Sequence, residues 1–160
     1  MADKSKTQAP DQFVLRLDEA SFCKRAKLRS TDGELRVFVP YTSVELTKAA
    51  LTGATVLVRN LELHITLFAV QIVPFPLPLE RSAVAPDFLE QRLLVIAGEI
   101  ETALDVQLIF SRDLDFGVQR VLPPNSLVVV ATKKSWWPTS EAKLARSLAR
   151  AGHSVALLVI

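Results

Sequence analysis

The residues of this chain with chemistry to offer are few, and the densest set is Lys133-Lys134-Ser135-Trp136-Trp137. Two ammonium groups and a hydroxyl just ahead of a helical pattern suit a sulfate, a phosphate or a carboxylate held against helix N–H groups. The same lysines would serve equally well as solubilising charges on a loop. Adjacent indoles are hard to bury together in one core, and each needs a partner for its N–H. Stacking on a flat ligand is one use for them, and packing on the proline-rich stretch PFPLPL at 74–79 is the other. The ingredients of catalysis are sparse. Cys23 is the only cysteine, so no internal disulfide and no paired-thiol zinc site can form, and as a nucleophile it would need His64 or His153 beside it. No G-x-S-x-G elbow occurs. Asp113 and Asp115 stand two apart at a predicted helix start, where the helix dipole favours carboxylates without any metal. These residues lead us to expect no catalytic set, no metal site and no cofactor.

The composition narrows the class of protein. The chain has 160 residues, 49% hydrophobic and 22% charged, which is a well-cored globular domain rather than a disordered one. A formal net charge of +2 creates no field that would gather nucleic acid. The only dense basic run is CKRAKLRS, where Lys24, Arg25, Lys27 and Arg29 read as a solvated surface. The start, MADKSKTQAPDQ, lacks the apolar centre of an export signal, and the longest apolar stretch, LHITLFAVQIVPFPLPL, is cut by Pro74, Pro76 and Pro78. It is also shorter than the roughly 20 residues of a spanning helix. No nucleic-acid partner, no membrane insertion and a cytoplasmic location are the expectations.

Two segments follow from the patterning. Residues 1–34 read as a polar tail and basic linker, in which FVLRLDEA is open between a short strand and a turn of helix and Asp32-Gly33 signals a turn. Residues 35–160 read as one α/β domain. LRVFVP is a buried strand ended by proline, and a helix follows with Ser43 as N-cap and Leu46, Ala50, Ala54 and Leu57 on its apolar side. LHITLFAVQIV is the second strand, nearly continuous in apolarity as a strand covered on both faces should be. The stretch DFLEQRLLVIAGEIETAL reads as a helix through Phe88, Leu93, Ile96, Ile100 and Leu104, and VQLIF as the third strand. A short helix from near Asp113 ends before Pro123-Pro124, SLVVVAT is the fourth strand, and TSEAKLARSLARAG is a capped helix closed by Gly152. SVALLVI is the fifth strand. Strands alternating with helices make a three-layer, doubly wound parallel sheet with right-handed crossovers. Ligands of such sheets bind beyond the carboxyl ends of the strands, which directs attention to residues 40–44 after the first strand and 132–139 after the fourth, with Thr42, Ser43, Thr132, Lys133, Lys134, Ser135 and Trp136 as the candidate ligand-binding residues.

The order and spacing of these segments resemble the universal stress protein family over about residues 35–160. The resemblance is carried by RVFVPYTSVELTKAAL, LELHITLFAVQIVP, NSLVVVATKKS and AGHSVALLVI. It implies a five-stranded parallel sheet of order 3-2-1-4-5, a regulatory role in stress response, and a homodimer formed through the last strand, here Ser154, Val155, Ala156, Leu157, Leu158, Val159 and Ile160. It leaves a further protein partner open. That strand carries no charge and no proline, and a bare apolar edge invites pairing. Family members that bind ATP have an aspartate past the first strand and glycines in a G-x2-G-x9-G-[ST] loop past the fourth. This chain has Thr42 at the first place, and Ala131, Lys134, Leu144 and Ala145 at the loop positions. Glycine lets main-chain N–H groups approach a triphosphate, and side chains obstruct that approach. ATP binding in the family manner is therefore not expected. A rebuilt pocket for a smaller anionic or flat ligand at the ends of strands 1 and 4 is the alternative.

Overall fold

The alternation of apolar side chains along the strands assigns each residue to one of two layers, and the packing follows it. In a computed structural model the described residues are 12–17, 36–58, 64–79, 86–102 and 104–160. The elements run β1 (Gln12–Leu17), β2 (Arg36–Pro40), α1 (Val44–Val58), β3 (His64–Ile72), α2 (Pro86–Gly98), β4 (Leu104–Ser111), α3 (Leu114–Val121), β5 (Leu127–Thr132), α4 (Ser140–Arg150) and β6 (Ser154–Val159). They form one sheet in the order β1-β4-β3-β2-β5-β6. The five strands from β2 to β6 are parallel, and their order is the 3-2-1-4-5 expected from the sequence.

Val37, Val39, Ile65, Leu67, Val106, Leu108, Val129 and Ala131 face one side of the sheet, where α1 and α2 cover them through Leu46, Ala50, Leu93 and Ile96. Phe38, Phe68, Ile109, Val128 and Val130 face the other side, under α3 and α4 through Val118, Ala145 and Leu148. Both faces of the strands are thus shielded, which is why their sequences run apolar with little alternation.

Three details differ from the sequence pattern. β1 pairs antiparallel with the outer edge of β4, Gln12 opposite Ser111 and Leu17 opposite Val106, which resolves the ambiguous FVLRL segment as a strand. Helix α2 stops at Gly98 rather than continuing to Leu104. Its end tightens through bonds from Glu99 N to Ile96 O and from Ile100 N to Ala97 O, and Leu104 opens β4 instead. Leu57 of α1 and Phe88 of α2 share the helical spacing of buried residues yet are exposed, and Phe88 lies under the Arg92 guanidinium at 4.4 Å. Cys23 and the basic run 23–30 lie outside the described residues. No described helix is long and apolar enough to cross a membrane.

Candidate functional site

The turn after β5 and the end of β6 together build a shallow cleft of about 260 Å³. It is lined by Trp136, Trp137 and Pro138 of the turn, by Ala142 and Arg146 of α4 and by Val159 of β6, with Lys134 among them. The turn that presents them is fixed at both ends. Ile160 N donates to Thr132 O and Lys134 N donates to Ile160 O, so the main chain beyond β5 is laced to the end of β6. At the other end Thr139 caps α4: its Oγ1 accepts from Ala142 N at 3.1 Å and also meets the Thr132 hydroxyl. A threonine cap of this kind contributes about 1 kcal/mol to its helix. Ser135 Oγ accepts from Trp137 N at 3.3 Å and shapes the bend between the lysines and the proline.

Both indoles project into solvent, Trp136 fully and Trp137 at 82% exposure. Packing on PFPLPL, one of the two uses open to them in the sequence, does not occur. That loop turns back on its own domain through Leu77 and Leu79.

The residues singled out by sequence divide into two groups. Thr132, Lys133, Lys134, Ser135 and Trp136 all line the cleft. Thr42 and Ser43 do not, because both are engaged at the start of α1: Thr42 N donates to Thr47 Oγ1 at 3.1 Å, and Ser43 Oγ accepts from Leu46 N at 3.3 Å. The two turns are joined instead by an ion pair between Lys133 Nζ and Glu45 Oε2 at 2.7 Å. Both partners are more than half exposed, so the pair orders the turns without adding much stability. Sequence reasoning did not place Ala142, Arg146 and Val159 in this site: Arg146 read as part of a solvated face of the last helix with Lys143 and Arg150, and Val159 as part of the edge of the last strand. Arg146 sits one helical turn after Ala142, a spacing that puts both on one side of α4 and could have signalled it.

His64 is exposed at the start of β3, and His153 follows α4, where Gly152 at φ 93° closes the helix. Asp113 is the N-cap of α3, its carboxylate accepting from Phe116 N at 2.9 Å. Each of these residues has a place in the scaffold and none converges on the cleft. No known protein family matches the chain, and neither does any curated protein.

Proposed function

We propose that the chain is a universal-stress-protein-like interaction module that pairs with a second copy through β6 and does not bind ATP in the manner of that family. The observation that carries the pairing is the state of β6. It is the outermost strand on its side of the sheet, with one hydrogen-bonding edge turned away from β5. Leu157, Val159 and Ile160 are exposed there, and no charge or proline guards the strand. Free apolar edges of this kind pair readily, and a two-fold axis across the edge satisfies both copies at once. Sedimentation of the wild-type chain should give a dimer, and Leu157→Lys, which sets a charge on each copy at the shared edge, should give a monomer with unchanged circular dichroism. A wild-type chain that is monomeric at every concentration would overturn the pairing.

The second half of the proposal rests on where the main-chain donors point. A triphosphate is held by N–H groups that are free to face it. In the turn after β5, Lys134 N is bonded to Ile160 O, Trp137 N to Ser135 Oγ, and Ala142 N to Thr139 Oγ1. The Lys133–Glu45 pair also bridges the turns after β5 and β2, beside which the phosphates would enter. Equilibrium dialysis with ATP and magnesium should show no saturable uptake in the micromolar range, and saturable micromolar binding would refute this part.

A further inference from the structure

We infer that the cleft beside β6 is a binding site for a small planar aromatic acid. It adjoins the crevice above β2 and β5 where doubly wound sheets ordinarily take ligands: it shares the turn after β5 with that crevice but not Thr42 and Ser43, and it extends to Val159 of β6 and to Ala142 and Arg146 of α4.

Three features of the lining select the ligand. Two indoles standing in water expose on the order of 300–500 Å² of mostly apolar surface, enough to mark a functional patch rather than scattered exposure. They are carried on a turn pinned to β6 and to the cap of α4, so their surface is offered without the cost of ordering a loose loop. Flat aromatic faces favour stacked or edge-on rings, which argues for a planar partner.

Charge selects next. Lys133 is engaged with Glu45, whereas Lys134 and Arg146 have no ion-pair partner among the described residues. Both line the cleft and can hold a carboxylate, Arg146 with two parallel donors. The hydroxyl of Ser135 also lines the cleft.

Size selects last. About 260 Å³ lies just below the roughly 300–1,000 Å³ of sites for drug-sized ligands, a size that suits one or two fused rings bearing an acid.

The two tryptophans of the cleft are the only two in the chain, so indole Nε1–H signals in ¹H–¹⁵N spectra report on this site alone. The probe is 2-naphthoate, titrated at constant protein concentration. Both indole signals should shift saturably. The neutral 2-naphthamide should bind roughly fivefold more weakly or worse, and so should naphthoate with the Lys134→Gln/Arg146→Gln variant, whose exposed positions leave folding intact. The Leu157→Lys chain should still bind naphthoate, since Leu157 is not among the residues lining the cleft. Indole signals that stay unmoved by naphthoate would overturn the inference. So would equal affinities for the acid and the amide.

Discussion

Replacing Phe68 with alanine is expected to lower the unfolding free energy by about 3–5 kcal/mol, the usual cost of removing a large aromatic ring from a packed core. Phe68 sits on β3, between β2 and β4, and only 1% of its surface is exposed. Its ring belongs to the layer formed by Phe38, Ile109, Val118 and Val130. The neighbouring strands hold those side chains in place, so they cannot close the space the ring would leave. Domains of this size are stable by roughly 5–15 kcal/mol, so the loss would be a large fraction of the whole. Urea unfolding followed by circular dichroism measures it, with an unchanged slope. Phe75→Ala is the matched control: this ring is 86% exposed and its loss should cost under about 0.5 kcal/mol. A cost below about 1 kcal/mol for Phe68→Ala would mean that the layer under α3 and α4 is not packed as described.

The two layers explain why so much of this fold was legible in the sequence. A strand shielded on both faces must be apolar at nearly every position: LVVVA is wholly so, and ITLFA and VQLIF carry one polar residue each, Thr66 and Gln107. Each is separated from the next by a helix-length segment, and the parallel sense of the sheet follows from that alternation, whereas the order 3-2-1-4-5 was what the family resemblance implied. Legibility failed where a local pattern had no local competitor to stop it. Ile100 and Leu104 continue the spacing of α2, and nothing in the sequence says that Leu104 is needed as the first buried residue of β4. FVLRL alternates weakly enough to suit either element, and only the free outer edge of β4 makes it a strand.

The site was legible to a lesser degree for the same reason. The turn carrying Lys133 to Trp137 could be placed after the fourth parallel strand because the strand itself was unmistakable. Which neighbours it would meet depends on contacts distant in sequence, such as Lys134 N with Ile160 O. Those contacts swing the tryptophans toward β6 and α4 and away from Thr42 and Ser43, whose own hydrogen bonds close locally on α1. Residue type alone cannot decide whether an indole caps a core or faces water. Here Leu77 and Leu79 already cover the core beneath the loop after β3.

Gly117→Ala is expected to destabilise the domain by about 2 kcal/mol, while Gly53→Ala should change its stability by less than about 1 kcal/mol in either direction. Both glycines lie inside helices, where alanine is intrinsically favoured by about 1 kcal/mol, so helix propensity alone predicts a gain at each. The surroundings reverse the sign at one of them. A Cβ on Gly117 would stand 2.7 Å from Val70 Cγ1 and 3.0 Å from Ser111 Cβ. Neither atom can retreat: the branched valine is stiff at its first torsion, and Ser111 is held by its hydroxyl, which donates to Asp113 O at 2.8 Å and accepts from Asp113 N at 3.3 Å. The new methyl would have to lift the first turn of α3 off β3 and β4, which disturbs the Asp113 cap as well. At Gly53 the added methyl would collide with Leu158 Cδ1, an even closer approach, yet that atom is the far end of a flexible side chain on the outermost strand. Leu158 is only partly buried and its end can shift, so the helix keeps its gain. The two variants compared by thermal and urea unfolding therefore separate nearness from rigidity as the cause of strain. Equal losses at the two positions would show that distance alone governs the cost, and would remove Ser111 and Val70 as the fixed support on which α3 rests.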